Sequence, residues 1–255
     1  MSYEYRNYIG GGIGSRLGAE VPKQFVEVLG KPILAYTIDA FQQHPDIDAA
    51  LVVCLESHME QMLGLIERYK LSKVKWTTKG GHDFQHSVLN AVNFLADKCN
   101  PEDVVLVHFG ASPFVTPDII SDAIEVCRVM GNAISSTPFY LLSGTRNSDN
   151  TSLEWIDRDS IVCMNSPHAF VFRNLQSIYS EGIRTGLIDK VEPHTTTLMY
   201  KLGWPVYLSR GSQTNIKITT KEDLELFRAY AYYRSIGNLQ KPKVKSGISV
   251  AKTQG

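Results

Sequence analysis

A strand-like run over residues 3–9 ends in Ile9-Gly10-Gly11-Gly12-Ile13-Gly14-Ser15-Arg16-Leu17-Gly18, with Pro22-Lys23-Gln24-Phe25 a few residues on. No other feature constrains the fold as strongly. A strand that runs straight into a glycine-rich turn brings backbone N–H groups close to whatever lies above a sheet edge. Glycine allows that approach because it has no Cβ and tolerates positive φ. Successive amides in such a turn make a concave anion site, and Arg16 and Lys23 add two cations at the same mouth. This equipment suits a nucleotide triphosphate. The same residues also fit a glycine-rich surface turn carrying two solvated charges. Two familiar glycine motifs do not apply. A dinucleotide-binding fingerprint needs a small residue where Leu17 stands, and no Gly-Lys-Ser/Thr run supplies a P-loop.

The rest of the chain reads as alternating strand and helix. Helices are expected over 33–41, 59–69, from about 83 onward, over 117–130, 173–186 and 221–233. Strands are expected over 49–53, 74–77, 104–107, 133–138, 206–209 and 215–218. Thr116 with Pro117, and Thr220 with Asp223, read as helix starts. Such alternation predicts an α/β fold, a mostly parallel Rossmann-like sheet with helices on both faces. From 139 to 163 the alternation stops. There Gly144-Thr145-Arg146-Asn147-Ser148-Asp149-Asn150 is turn chemistry between strand-like flanks, which predicts a β-hairpin arm. The expected organisation is one domain over 1–237 with that arm, followed by a flexible tail over 238–255.

Composition narrows the function. Across 255 residues the formal net charge is zero, so no basic excess suggests a nucleic-acid partner. The four cysteines lie far apart with no Cys-x-x-Cys pair, which argues against a zinc ribbon or redox motif. Cys54 and Cys127 read as buried thiols. No apolar stretch approaches about 20 residues and no secretory-type apolar run opens the chain, so a cytoplasmic protein without membrane contact is expected. In an open parallel sheet ligands bind beyond the carboxyl ends of the strands. That rule gathers the glycine loop, the Gly80-Gly81 turn, residues 108–113 and the Lys217 segment at one edge.

At these residues the chain resembles the cytidylyltransferases that act on 2-C-methyl-D-erythritol 4-phosphate and on ribitol 5-phosphate. The likeness rests on Gly10 to Arg16, Pro22 to Phe25, Gly30-Lys31-Pro32, Gly80-Gly81 with Ser87-Val88, and the run Asn215-Ile216-Lys217-Ile218-Thr219-Thr220 with Glu222-Asp223-Leu224. The resemblance implies a nucleotidyltransferase-type fold. It also implies a reaction in which a phosphate oxygen of the acceptor attacks the α-phosphorus of CTP and pyrophosphate leaves. It assigns Arg16, Lys23 and Lys217 to the reacting phosphates. Gly10, Gly11, Gly12, Gly14, Gly81, His82, Ser87 and His108 fall to the nucleotide, and Arg158 to the phosphate of the acceptor. The arm implies a homodimer.

The chain departs from that pattern where the family carries His-Asp-x-x-Arg-Pro. Here the run is His108-Phe109-Gly110-Ala111-Ser112-Pro113. The magnesium-ligand Asp becomes Phe109, and the Arg becomes Ser112. A second acidic position aligns with Pro193-His194-Thr195, and the arginine of the Gly-Gly turn is Phe84. The Asp-Thr of the arm and the Gln of a Thr-Pro-Gln run are also missing, the latter replaced in Ser166-Pro167-His168. No protein metal ligand is therefore assigned, and Mg2+ is expected mainly on the nucleotide phosphates. Two readings follow: a working cytidylyltransferase for a polyol or sugar phosphate, or a homologue that keeps a nucleotide pocket without turnover. An enzyme using a different nucleotide or a different acceptor, such as a phosphonate, is a further alternative.

Overall fold

Apolar runs such as Ala49–Cys54 and Val104–Phe109 become buried strands because helices pack on both faces of the sheet they form. The computed structural model describes residues 6–10 and 22–237. Within them β1 (Arg6–Gly10), β2 (Ala49–Cys54), β3 (Val74–Lys79), β4 (Val104–Phe109), β5 (Asn132–Pro138), β6 (Val162–Val171) and β7 (Leu208–Arg210) form one seven-stranded sheet in the order β7-β5-β6-β4-β1-β2-β3. The β1–β2, β1–β4, β2–β3 and β5–β7 pairs are parallel, whereas β6 runs antiparallel to both β4 and β5.

The helices are α1 (Ile33–Gln42), α2 (Met59–Arg68), α3 (Phe84–Leu95), α4 (Pro117–Met130), α5 (Phe172–Thr185), α6 (Thr195–Leu202) and α7 (Lys221–Gly237). Strand side chains alternate between faces, and the core divides accordingly. Val52, Cys54, Val104, Leu106 and Ala169 pack with α1, α2 and α4. Leu51, Val53, Val105, Val107 and Phe170 pack with α3, α5 and α6. A third group of Ile33, Ala111, Phe114, Ile218 and Phe227 seats α7. Cys54 and Cys127 are buried free thiols, as the sequence suggests.

The structure corrects the sequence reading in three places. Strand β6 was not expected, because Pro167 within Asn165-Ser166-Pro167-His168 argues against a strand interior. The ladder resolves this with a register shift between Met164 and His168. Helix α6 was not expected either, since three threonines open it and threonine is a weak helix former. Burial of Leu198 and Met199 and a buried 2.8 Å bond between Tyr179 Oη and Thr195 Oγ1 hold it. Residues 215–218 are not a strand but an irregular segment. The helix start after it is as expected: Asp223 N–H donates to Thr220 Oγ1, and Asp223 Oδ2 accepts from the N–H groups of Thr219 and Thr220. Thr116 takes the N-cap position of α4 without a side-chain capping bond. The arm leaves between β5 and β6, and its only ladder is the Ser143–Gly144 and Trp155–Ile156 pair. The tail over 238–255 lies outside the described residues.

Candidate active site

The carboxyl ends of β1, β2, β3 and β4 define the edge where a ligand is expected. In register, Gly10 of β1 sits beside Phe109 of β4, so the chain leaves the sheet next to Phe109 as it enters the glycine-rich stretch. Gly11, Gly12, Gly14 and Arg16 lie outside the described residues. Lys23 opens the one-turn helix Lys23–Phe25, which packs on α1 through buried Gln24 and Phe25.

The turn after β3 is fixed by its own hydrogen bonds. Gly80 N–H donates to Cys54 O at 2.9 Å. Gly81 N–H donates to Ser87 Oγ at 3.0 Å, and that hydroxyl donates to Asp83 O at 2.7 Å. Asp83 caps α3 by accepting from His86 N–H at 2.7 Å. Glycine is required at 81, because a Cβ there would stand 2.4 Å from His86 Cβ. Ser87 therefore builds the turn, and exposed His82 stands at its lip.

His108, assigned to the nucleotide by the resemblance, points into the layer of α1. It is fully buried; its Nε2 lies 2.9 Å from Ser112 O and its ring packs 4.9 Å from Phe41 of α1. Burial pushes its pKa down to about 4. The even-numbered residues of β4 face the α1 layer, so His108 acts as a strut beneath the loop it precedes, while Phe109 faces the other way.

Phe109 is the centre of a compact group. Its ring lies 4.8 Å from Phe84, 5.9 Å from His168 and 5.9 Å from His194, and Phe84 lies 5.6 Å from His194. Lys217 Nζ sits 4.3 Å from the Phe109 ring centre, a cation–π distance. Backbone bonds fix this placement. Ile218 N–H donates to Ala111 O at 2.8 Å, and Thr37 Oγ1 donates to Gly110 O at 3.0 Å. Buried Asn215 donates from Nδ2 to Ser166 O at 2.7 Å. His168 is buried and kept neutral, its pKa pushed down to about 3, first by burial and then by neighbouring His194 and His108. Burial, with Lys217 nearby, also lowers His194.

The structure thus brings Lys217 together with Phe84, Phe109 and His194. Arg158 lies elsewhere, on the arm, where its Nη1 donates to Tyr140 O at 3.2 Å. The sequence reading did not single out His86 or Asp189. The four-residue spacing of His82 and His86 could have flagged the first. Nothing local in the sequence marks Asp189, which approaches from the segment between α5 and α6.

A family model described as IspD, 2-C-methyl-D-erythritol 4-phosphate cytidylyltransferase, matches residues 9–234. The chain belongs to this cytidylyltransferase family. Family members are nucleotidyltransferases, and the chain is 40% identical over 224 residues to a ribitol-5-phosphate cytidylyltransferase of Lacticaseibacillus paracasei, covering 87% of this chain and 95% of that protein. It is 36% identical over 222 residues to a 2-C-methyl-D-erythritol 4-phosphate cytidylyltransferase of Clostridium perfringens, covering 86% and 94%. A Francisella tularensis enzyme of the family superposes with a TM-score of 0.72 at 26% identity, over 91% of this chain and 100% of that one. Among the described residues no helix is long and apolar enough to cross a membrane.

Cytidylyltransferases of this family generally use a divalent metal. Magnesium takes hard oxygen ligands. In this chain the two positions where the family pattern places carboxylates hold Phe109 and His194, packed against each other with Lys217 Nζ over the phenylalanine. That donor set does not fit a protein-held magnesium ion.

Proposed function

We propose that this chain transfers CMP from CTP to a polyol phosphate, with ribitol 5-phosphate the first candidate, and releases pyrophosphate. The observation that carries the reading is Lys217, clamped through Ile218–Ala111 and Asn215–Ser166 above the carboxyl end of β4, beside the point where the glycine-rich stretch begins. In this reading the amides of Gly10, Gly11, Gly12 and Gly14 and the cations of Arg16 and Lys23 grip the triphosphate. Gly81 and His82 border the cytosine. Lys217 stabilises charge that develops as the acceptor's phosphate oxygen attacks the α-phosphorus in line with the departing pyrophosphate. The protein's contribution is positioning and fixed positive charge. Magnesium arrives on the nucleotide's own phosphates. The product is a CDP-linked polyol, a precursor of the isoprenoid or cell-surface polymer class.

Arg158 binds the acceptor phosphate in the site of a second copy, with the arm as the dimer contact. The arm's exposed apolar side chains, Leu142 at 91%, Leu153 at 77% and Trp155 at 74%, support that contact. A second reading, nucleotide binding without turnover, is favoured by the Phe84–Phe109–His194 group, which replaces charge with aromatic surface.

Pyrophosphate release from CTP and magnesium with ribitol 5-phosphate, methylerythritol 4-phosphate and a phosphonate separates the two. Release with one acceptor, lowered about 10²–10³-fold in Lys217→Ala, supports the transferase. Silence with all three while calorimetry still detects CTP replaces it with the second reading.

A further inference from the structure

At the rim of the site, sharing His82 with the proposed cytosine border, two imidazoles and a carboxylate converge. His82 lies on the turn before α3, His86 in the first turn of α3, and Asp189 on the segment between α5 and α6. Their candidate ligand atoms all lie within 4.8 Å of one another. The two imidazole rings are 3.8 Å apart, and His86 Nε2 is 3.2 Å from Asp189 Oδ1. A tetrahedral zinc with nitrogen and oxygen ligands at about 2.0–2.2 Å has ligand–ligand edges of about 3.3–3.5 Å, so the His86–Asp189 pair is already spaced as one such edge. The other nitrogen of His86, Nδ1, lies 2.9 Å from Asp83 Oδ1. A carboxylate behind an imidazole fixes the tautomer that presents Nε2 to a metal and raises its basicity. His82 is 70% exposed and able to turn either ring nitrogen inward.

We propose that His82, His86 and Asp189 hold a divalent transition-metal ion of the zinc class, with water in the fourth position and Asp83 orienting His86. Imidazole ligands select such ions over magnesium, and the site is separate from the Phe109 position where the family pattern expects magnesium. The ion ties the start of α3 to the segment that carries His194. It therefore braces one wall of the Phe84–Phe109–His194 group.

The test uses the untagged chain, stripped with chelator and titrated with Zn2+ by calorimetry and with Co2+ by visible absorption. Expected are one ion per chain and the intense d–d bands of tetrahedral cobalt. Asp83→Asn should weaken binding about 10–100-fold, and His82→Ala, a change at an exposed side chain, should abolish stoichiometric uptake. Failure of the wild-type chain to bind one ion overturns the proposal and leaves His86 held only by its contacts to Asp83 and Asp189. Binding that survives both His82→Ala and Asp189→Asn, or cobalt spectra dominated by thiolate charge transfer from Cys99 or Cys163, overturns it as well.

Discussion

Lowering the pH from 7 to 5 should destabilise this protein steeply, because His108 and His168 are both buried neutral. Their ordinary pKa is 6.5, and in the folded chain burial moves them to about 4 and about 3. Between those values and 6.5 the unfolded chain binds more protons than the folded one, so stability is present above 6.5 and is lost as pH falls. Each group contributes at most about 1.4 kcal/mol per pH unit within that window. From pH 7 to pH 5 the two together give a loss of about 3–4 kcal/mol, a large part of the roughly 5–15 kcal/mol typical of a folded domain. His194, also lowered, acts in the same sense. Asp83 and Glu222 titrate below their ordinary 3.8 and 4.5 and so lie outside the interval. Urea unfolding at half-unit steps from pH 7 to pH 5 measures the slope. The same series on His108→Gln/His168→Gln, which starts from a lower stability, should be nearly flat apart from His194. An unfolding midpoint for the native sequence that does not move over this range would refute the reasoning, as would a double variant with the native slope.

Two further outcomes are expected. Gly81→Ala puts a Cβ 2.6 Å from the His86 carbonyl carbon and 2.9 Å from Ser87 N, where only backbone movement relieves the clash. A loss of about 1–3 kcal/mol should appear in thermal melts together with weaker CTP binding by calorimetry, and an unchanged melt and affinity would show that the turn is not what holds the base. Leu142→Ser/Trp155→Ser changes side chains exposed in the single chain, so unfolding should shift by less than about 0.5 kcal/mol. Sedimentation should nevertheless change from dimer to monomer, and a native chain that sediments as a monomer would remove the arm's proposed role.

The legible parts of the fold were those governed by short-range rules. Apolar runs such as Val104 to Val107 and the spacing of Ser87, Val88, Ala91 and Leu95 report burial directly, and the Thr220–Asp223 start is a local hydrogen-bond pattern. What escaped depends on distant partners. Pro167 hides β6 because the register shift that accommodates it is set by β5. Residues 215–218 alternate like a strand, yet Asn215 and Ile216 N–H donate to Ser212 O and Thr214 O, Ile218 N–H to Ala111 O and Asn215 Nδ2 to Ser166 O, none of them in a ladder. At the site, Lys217 was identified from its motif, and its position over Phe109 accords with the convergence of strand ends. The burial of His108 against Phe41 was not legible, because sequence gives the strand but not which face its last residues take. Asp189 reaches His86 across the sheet's helical layer, a contact that no spacing along the chain encodes.

The insertion of β6 between β4 and β5 has a consequence for how the chain is made. Strands β3, β2, β1 and β4 can pair with one another as soon as β4 leaves the ribosome, but β5 cannot join them directly, since its place beside β4 belongs to a strand not yet synthesised. From Pro138 at the end of β5 to Val171 at the end of β6 is about 33 residues, which takes about 2–7 s at translation rates of about 5–20 residues per second. For that interval the nascent sheet carries an open slot with a bare edge on each side. The arm is the stretch of chain being made while the slot waits, so its length sets how long two unpaired β edges stay exposed to neighbouring chains.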